Sequence, residues 1–349
     1  MSHKIVFLPG DGAGPEVAEA ALNVLNATGA KFDIALSVES FPFGGAGIDA
    51  TGAPLPEETK AACLASDAVF LGAVGGPKWD GAAVRPEQGL LALRQELGVF
   101  ANLRPIKVLP GMERQSPLRE EIARGIDILI IRELTGGVYF GEREEGDERA
   151  SDVCTYTKGE VERVARVAFE AAKGRGGRVT SVDKANVMAT SRLWRKATTA
   201  LRDAEYSEIN LDHGLIDAMA MKLITSPGAF DVMLTENMFG DILSDEASVI
   251  GGSIGLAPSA SLGVGTRGLY EPIHGSAPDI AGQDKANPVG AILSAAMMLR
   301  HSLGNEHAAR AIENAIDEAV ASGRGTGDIG GDDGTQQFAD HICDLVAKG

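Results

Sequence analysis

Cysteine is scarce in this chain, with only three among 349 residues. Cys63, Cys154 and Cys343 are widely separated, odd in number, and their spacing matches no metal-binding motif. This distribution argues against a disulfide framework and is typical of packing thiols in a reducing compartment. We therefore expect a cytoplasmic protein.

Positive charge is also in short supply, and long apolar runs are missing. The 32 Lys and Arg residues stand against 49 Asp and Glu residues, which gives a net charge of −17 and argues against a nucleic-acid partner. No apolar run approaches the length of a membrane span, and the polar start Met1-Ser2-His3-Lys4 contains no signal-peptide core. We expect neither a membrane nor a nucleic acid among its partners.

Hydrophobic residues make up 44% of the chain, enough for a large core and one or two domains. Apolar runs of strand length alternate with segments of helical periodicity, which predicts an α/β fold. The sequence predicts strands at residues 4–8, 32–39, 68–71, 126–131, 178–182, 209–211 and 230–235, and helices at 56–65, 86–94, 158–173, 189–201, 288–303, 306–322 and 336–347.

The first strand runs into the glycine-rich turn Pro9–Glu16, which invites comparison with a Rossmann phosphate loop. Its glycines, Gly10, Gly12 and Gly14, are spaced G-x-G-x-G, and Pro15 occupies a helix start that should offer free N–H groups to a pyrophosphate. The turn suits a flexible strand end that lines a cofactor, but it does not predict a Rossmann domain.

A candidate metal site lies in the helical segment after the strand at 230–235. Asp241 and Asp245 are spaced i and i+4, which puts both carboxylates on one helix face. Paired carboxylates suit a hard cation such as Mg²⁺ or Mn²⁺, although an isolated DxxxD is more often a solvated acidic face. Asp217, just inside another helix start, is a third acidic candidate.

Three arginines lie beside apolar runs, at predicted strand or helix ends: Arg94, Arg104 and Arg132. A lone arginine in such a place is usually a surface charge with a buried stem. Three of them suggest a carboxylate clamp, because guanidinium binds carboxylate bidentately. Lys184 follows the strand at 178–182, where a parallel sheet presents catalytic loops.

A candidate cofactor segment follows Glu271-Pro272-Ile273. The stretch His274-Gly275-Ser276-Ala277 is expected to open a short helix whose free N–H groups could meet phosphates. Asp279 is placed to accept hydrogen bonds from a ribose diol, as acidic residues do in NAD sites.

Taken together, these segments resemble the isocitrate/isopropylmalate dehydrogenase family of β-decarboxylating dehydrogenases, essentially from end to end. The resemblance rests on several blocks in the family order: LPGDGAGPE, FGGAGIDATG, GAVGGPKWDG, GLLALR, FANLRP, RELTGGVYFGE, SVDKANV, NMFGDILSDEAS and EPIHGSAPDIAG…ANP. It implies a two-domain, isopropylmalate dehydrogenase-like fold with a large mixed sheet, distinct from Rossmann. Residues 1–100 and 254–349 would form the NAD-binding domain, and 101–253 the domain with the dimer interface, arm and metal site.

The resemblance also implies the active-site roles. Arg94, Arg104 and Arg132 would hold the malate carboxylates, Tyr139 and Lys184 would be the acid–base pair, and Asp217, Asp241 and Asp245 would hold Mg²⁺ or Mn²⁺, with Asp217 also beside the substrate. NAD would be bound by Glu271, His274, Gly275, Ser276, Ala277, Asp279, Asn287 and Asp328. The protein would be a homodimer with shared active sites, in which Lys184 and Asp217 come from the second chain.

The implied reaction is the oxidative decarboxylation of (2R,3S)-3-isopropylmalate to 4-methyl-2-oxopentanoate (2-oxoisocaproate) and CO₂, a step of leucine biosynthesis. Leu90 and Leu91 would form an apolar pocket for the branched alkyl group, and Glu87 would repel a third carboxylate. Without the surrounding family blocks, we would interpret these three residues as ordinary packing positions of an amphipathic helix. Two alternatives stay open: a related enzyme acting on tartrate or malate, homoisocitrate or isocitrate, and a non-catalytic subunit.

Overall fold

The structure, a computed structural model, describes residues 2–349, and the chain divides into two compact units. Unit 1 contains the chain up to Val99, the short segment Leu109–Gln115, and Gly251–Gly349. Unit 2 contains Phe100–Val108 and Ser116–Ile250. Both ends of the chain therefore belong to the same unit.

Twelve strands are found among residues 2–349: β1 His3–Gly10, β2 Leu36–Ser40, β3 Ala68–Ala73, β4 Ala101–Lys107, β5 Asp127–Glu133, β6 Arg143–Glu144, β7 Ser151–Asp152, β8 Arg178–Asp183, β9 Asn210–Leu215, β10 Val232–Thr235, β11 Pro258–Leu262 and β12 Gly268–Pro272. The α-helices of the same residues are α1 Gly14–Lys31, α2 Gly45–Thr51, α3 Glu57–Ala65, α4 Pro86–Leu97, α5 Glu120–Ala123, α6 Lys158–Lys173, α7 Ala189–Glu205, α8 Ile216–Thr225, α9 Asn237–Ile250, α10 Val289–His301, α11 Glu306–Ala321 and α12 Thr335–Lys348.

In unit 1 the strand order is β2-β1-β3-β12-β11, with parallel pairs except between β11 and β12. Strands β1 and β3 are buried on both faces because helices cover them, so they are runs of apolar residues without alternation. The core beneath α4 is built from Val6, Leu8, Val69, Leu71 and Leu269 of the strands, together with Phe43, Cys63 and Leu93.

In unit 2 the order is β4-β5-β10-β8-β9, and only the β4–β5 pair is antiparallel. Parallel strands end at the same edge of a sheet, so β5, β10, β8 and β9 direct their following segments to one edge. Those segments carry Tyr139, Asn237, Lys184 and Asp217, respectively. The short hairpin β6–β7 flanks a charged segment, residues 145–150, which is exposed.

The prediction of a mixed α/β sheet that is not Rossmann is confirmed, since each unit combines parallel and antiparallel pairs. Most predicted helices are present, and the helix predicted at 158–173 has the bounds of α6. Two predictions were wrong: strand β2 begins at Leu36 rather than at Phe32, and the segment from His274 to Pro288 forms turns instead of opening a short helix. Helices α2 and α5, the hairpin strands β6 and β7, and strands β11 and β12 were not predicted. None of the helices within residues 2–349 has both the length and the apolar character needed to cross a bilayer.

Candidate active site

The first part of the site, in unit 2, is centred on Asp241 of α9. Arg132, at the end of β5, donates from Nη1 to Asp241 Oδ1 at 2.5 Å. Arg104, on β4, lies with Nη2 3.6 Å from the same oxygen and with Nη1 3.4 Å from Asp245 Oδ1. Both guanidinium groups are almost fully buried, whereas the carboxylates are partly exposed. Two positive and two negative charges therefore meet at one accessible place.

A glycine allows this close approach. Gly240 precedes Asp241 in α9, and a Cβ added there would lie 2.2 Å from Thr235 Oγ1 and 2.8 Å from Cβ and Cγ of Arg132. The aliphatic part of the Arg132 side chain therefore packs against α9 at Gly240, where no side chain is in its way. Glycine is unfavourable inside a helix, so its presence here is explained by packing against Arg132.

Tyr139 lies in a short 3₁₀ turn, Gly137–Phe140, after β5. Its hydroxyl donates to Asp241 Oδ2 at 3.0 Å, and its ring centroid is 5.7 Å from the Arg132 guanidinium carbon. Burial raises the pKa of Tyr139, and the charge of Asp241 and this hydrogen bond raise it further. The phenol is therefore held protonated, as a proton donor needs to be.

The pKa of Asp245 is raised by desolvation and by the like charge of Asp241, against the opposing effect of Arg104. More than half of the Asp245 side chain is exposed, so water limits this rise. The carboxylate of Asp245 is therefore accessible from solvent.

Lys184 and Asp217 form a second group in unit 2. Lys184 follows β8, Asp217 lies in the first turn of α8, and Lys184 Nζ is 2.7 Å from Asp217 Oδ1. The hydrogen bond from Lys184 lowers the pKa of Asp217. Within residues 2–349 no three His, Cys, Asp or Glu side chains gather as a metal site, so one chain does not unite Asp217 with Asp241 and Asp245.

The third predicted arginine, Arg94 of α4, lies in unit 1 and is buried against Glu271 of β12. Arg94 Nη2 donates to Glu271 Oε1 at 2.7 Å, and Arg94 Nε is buried without a hydrogen-bond partner. The two predicted binding residues are thus brought together as an ion pair, with one buried donor that a bound anion could satisfy.

The three residues predicted to select the substrate lie on α4 in unit 1. Glu87 is exposed, and a Cβ on Gly75 would lie 2.7 Å from its Oε1, so the turn after β3 passes close to it. Leu90 and Leu91 are half-buried, and Leu90 packs against the core cluster of unit 1. Leu90 therefore has a structural role whatever it contributes to binding.

The predicted cofactor residues lie in the turns after β12, in unit 1. Ser276 O accepts a hydrogen bond from the backbone N–H of Ala13 at 2.7 Å, which ties this segment to the glycine-rich turn after β1. His274 Nδ1 donates to Gly275 O at 2.8 Å, which leaves Nε2 as a buried acceptor without a partner. Burial also lowers the pKa of His274, so the ring is neutral. Ala277 has a positive φ of 41°, and Gly275 and Asp279 are exposed.

Asn287 and Asp328 form a small polar cluster in unit 1. Asp328 Oδ2 accepts from Asn287 Nδ2 at 2.9 Å and from the hydroxyl of Ser253 at 2.5 Å. Thr326 donates its hydroxyl to the other carboxylate oxygen at 2.5 Å. The structure therefore brings together two residues that are 41 positions apart and that were assigned to the same cofactor.

Comparisons with known proteins identify the family of the chain. The family described as isocitrate/isopropylmalate dehydrogenase matches residues 4–342. The chain belongs to the isocitrate/isopropylmalate dehydrogenase family. It is 56% identical to "3-isopropylmalate dehydrogenase" of Anaeromyxobacter dehalogenans, over 99% of this chain and 100% of that one. It is 54% identical to the protein of the same name from Bacillus licheniformis, over 94% and 91% of the two chains.

Solved structures of the family have the same fold. The crystal structure of isocitrate dehydrogenase from Methylococcus capsulatus matches with a TM-score of 0.88 and 35% identity, over 99% of both chains. A β-decarboxylating dehydrogenase from Thermococcus kodakarensis, in its apo form, matches with a TM-score of 0.82 and 38% identity, over 99% and 96% of the chains. Family membership and the dehydrogenase class, both predicted from the sequence blocks, are confirmed.

Asp11, in the glycine-rich turn after β1, is a further residue that supports the site. It is buried and accepts backbone N–H groups of Gly45, Ala46 and Gly75 at 2.8–2.9 Å. Burial raises its pKa, and the three hydrogen bonds oppose the rise. Asp11 thus ties the start of α2 and the turn beside Glu87 to the first strand. An acidic residue between glycines was the available signal, since Asp commonly bonds backbone N–H groups in turns.

Proposed function

We propose that this protein catalyses the metal- and NAD-dependent oxidative decarboxylation of (2R,3S)-3-isopropylmalate to 4-methyl-2-oxopentanoate (2-oxoisocaproate) and CO₂, a step of leucine biosynthesis. The observation that carries the proposal is the convergence of Arg104, Arg132 and Tyr139 on Asp241. This convergence brings together two guanidinium groups that can bind a dicarboxylate, a protonated phenol that can donate a proton, and a carboxylate that can bind a metal ion. Relatives 51–56% identical bear the name of this enzyme.

Substrate binding is assigned to the arginines. Arg104 and Arg132 present guanidinium groups at the accessible centre of unit 2, and Arg94 has a buried Nε donor without a partner. Guanidinium groups bind carboxylates through charge-assisted hydrogen bonds, which is what a malate derivative with two carboxylates requires. In this assignment, Leu90 and Leu91 accept the isopropyl group and Glu87 disfavours a third carboxylate.

The residues of the candidate site fit both a divalent cation and NAD. Asp241 and Asp245 supply carboxylate oxygens of the kind that Mg²⁺ or Mn²⁺ prefers, and Asp217 would add a third from a second copy of the chain. The unpaired, buried Nε2 of His274 suits a donor group of a nucleotide. When bound, NAD accepts hydride and the cation polarises the oxygen on C2.

Proton movements are assigned to Lys184 and Tyr139. Lys184, which must be a neutral amine at this step, would take the proton of the C2 hydroxyl as hydride passes from C2 to NAD. The carboxylate on C3 would then depart as CO₂ and leave its bonding electrons on C3. Tyr139 delivers its hydroxyl proton to C3, a role consistent with the raised pKa that keeps it protonated. Within one chain Lys184 Nζ contacts Asp217 Oδ1, so this pair would have to open for Lys184 to reach the substrate.

We further propose a homodimer that completes each site. On α8 and α9, large apolar side chains face water in the single chain: Met221 is 66% exposed, Ile242 57% and Val249 52%. Apolar groups exposed on two adjacent helices mark an interaction surface. These helices also carry Asp217, Asp241 and Asp245, so a two-fold contact there would approach the metal ligands.

The direct test is NADH formation with purified protein and 3-isopropylmalate, with and without Mg²⁺. Malate, tartrate, isocitrate and homoisocitrate serve as competing substrates. We expect 3-isopropylmalate to have the highest kcat/KM and the reaction to stop in EDTA. A higher kcat/KM for another 2-hydroxy acid would replace the proposed substrate, and turnover that persists in EDTA would reject the metal.

A further inference from the structure

Two buried asparagines hold the two arginines at the centre of unit 2. Asn237 Oδ1 accepts from Arg132 Nε at 3.0 Å and from Arg132 Nη2 at 2.8 Å. Asn102 Oδ1 accepts from Arg104 Nε at 2.6 Å. Both asparagines are 0% exposed. The Nε side of each guanidinium is therefore fixed by an amide, and the opposite end faces Asp241 and Asp245.

The asparagines are themselves fixed by the backbone. Asn237 is the first residue of α9; its Nδ2 donates to Gly136 O at 3.0 Å, and its backbone N–H donates to Tyr156 Oη at 3.0 Å. Asn102 lies directly opposite Arg132 in the β4–β5 register, two residues before Arg104 on the same strand face. Turning the amide of Asn237 would break its hydrogen bond to Gly136 O, and Asn102 is held on β4 in register with β5, so the backbone fixes where each acceptor lies.

The neutrality of these amides is the informative feature. A carboxylate in either place would make stronger hydrogen bonds to arginine, because ionic hydrogen bonds are stronger than neutral ones. It would also add a negative charge beside Arg104 and Arg132, which already face the carboxylates of Asp241 and Asp245, with the buried carboxyl of Glu236 also near Arg132. An added negative charge at this place attracts a divalent cation and repels a dianion.

We propose that Asn102 and Asn237 are positioning residues that orient the two arginines and, being neutral, keep their charge for the dicarboxylate substrate. The proposal rests on the function proposed above, and it names two specificity-determining residues beyond the arginines themselves. It predicts that replacing either amide by a carboxylate has opposite effects on the anionic and cationic ligands. A residue needed only for folding would weaken both in the same direction.

The experiment uses the full-length protein and four variants: Asn102→Asp, Asn237→Asp, Asn237→Ala, and Asn210→Asp as the control. Asn210 is exposed at the start of β9, so its variant adds the same charge away from the arginines. Titration calorimetry measures the binding of Mn²⁺ alone, and then of 3-isopropylmalate and of malate to the Mn²⁺-loaded protein. Melting temperatures report on folding. At position 237 an Asp is also acceptable to a helix start.

We expect both Asp variants at the arginines to bind the dicarboxylates at least about tenfold more weakly, because a charge next to a guanidinium competes with the substrate. Their affinity for Mn²⁺ should be unchanged or higher. Asn237→Ala should weaken dicarboxylate binding and leave Mn²⁺ binding unchanged, since it frees the guanidinium without adding charge. The control should bind all three ligands as the native protein does.

Two results would overturn the proposal: dicarboxylate affinity that is unchanged in both Asp variants, or Mn²⁺ and dicarboxylate affinities that fall together in a folded variant. If Asn237→Asp fails to fold, Asn102→Asp applies the same criterion at a strand position. The proposed substrate is tested separately. If the native protein binds malate but not 3-isopropylmalate, the proposed function fails while the malate titrations still decide the role of the asparagines.

Discussion

At the scale of single residues, the candidate site is centred on Asp241. Arg104, Arg132 and Tyr139 all contact its two oxygens, while Asp245, one turn later, is paired with Arg104. A substitution at Asp241 would therefore disturb three side chains as well as the proposed metal site. Asp245 is the cleaner position at which to test the metal.

Asp245→Asn should reduce turnover on the order of 100-fold, because it removes one anionic oxygen ligand. The melting temperature should change little, since the substitution keeps the shape of a partly exposed side chain and removes its repulsion with Asp241. Turnover at several Mg²⁺ concentrations, with thermal unfolding as the control, checks both parts. A variant as active as the native protein would remove Asp245 from the metal site.

Asp279 provides a second residue-scale prediction. We expect NAD to be preferred over NADP, because the exposed carboxylate of Asp279 would face the extra 2′-phosphate with like charge. Asp279→Asn should bring the kcat/KM values for NAD and NADP closer together, mainly by lowering the KM for NADP. Steady-state kinetics with both cofactors measure it, and an unchanged ratio would show that Asp279 does not contact the ribose.

At the scale of secondary-structure elements, α9 contains a glycine at which substitution by alanine should destabilise the protein instead of stabilising it. Replacing helical glycine by alanine normally stabilises a protein by up to about 1 kcal/mol. In Gly240→Ala the new methyl group would collide with Thr235 and with the stem of Arg132, so we expect a loss of about 1–3 kcal/mol and weaker substrate binding.

Gly159 in the first turn of α6 is the matched control, because a Cβ there would meet nothing within 4 Å. Gly159→Ala should leave substrate binding unchanged and should not lower the free energy of unfolding. Denaturant unfolding of both variants gives the comparison. Equal stabilisation by the two substitutions would mean that Gly240 is not required for the passage of Arg132.

Helix α10 has a predictable pH dependence at its last residue, His301. Burial lowers the pKa of His301 to about 4, and the charge of Arg300 contributes. In the unfolded chain the imidazole titrates near pH 6.5, so between pH 6.5 and 4 protons bind the unfolded state preferentially. The contribution of neutral His301 to the free energy of unfolding is complete above pH 6.5. It is lost as the pH falls towards 4, by at most about 3 kcal/mol.

His301→Gln removes this titration, so its free energy of unfolding should fall less than that of the native protein between pH 7 and 4.5. Glu306, whose pKa is lowered to about 2 by hydrogen bonds from Arg300, loses its contribution in a lower range, below about pH 4.5. Denaturant unfolding at several pH values separates the two ranges. Parallel pH curves for variant and native protein would contradict the role of His301.

The sequence was most informative about elements with a strong apolar period, such as α6, and about the DxxxD helix. It did not predict β11 and β12, because Pro258-Ser-Ala-Ser-Leu262 and Gly268-Leu-Tyr-Glu-Pro272 contain little of the apolar signal expected of buried strands. The arginines and aspartates of the candidate site were predicted from their residue types and from the sequence blocks shared with the family. The holding of Arg104 and Arg132 by Asn102 and Asn237 could not be predicted, since it depends on strand register and on side chains 105 positions apart.

At the scale of the whole molecule, the proposed sharing of active sites between two chains makes a quantitative prediction. Tyr139→Phe and Lys184→Met proteins should each be nearly inactive, and unfolding and refolding them together should restore activity. If each site takes Tyr139 from one chain and Lys184 from the other, about half of the dimers are mixed and one of their two sites is complete. About a quarter of all sites should therefore recover.

The measurement is turnover of the refolded mixture, with the separately refolded variants as controls and native mass spectrometry to show that mixed dimers formed. Activity at the level of the unmixed variants, in the presence of mixed dimers, would contradict the shared site. The exposed side chains of Met221 and Ile242 offer a further check, because a charged residue at either position should produce monomers with little activity.

The division of the chain into units has a consequence for its synthesis on the ribosome. Unit 2 is complete once Ile250 has emerged, but in unit 1 the strand β3 pairs with β12, and Val69 lies opposite Leu269, 200 residues later. At ordinary rates of translation this partner arrives roughly 10–40 s after β3. During that interval the nascent chain carries an unpaired strand edge of almost entirely apolar residues, so the first hundred residues depend on the last hundred for protection from aggregation.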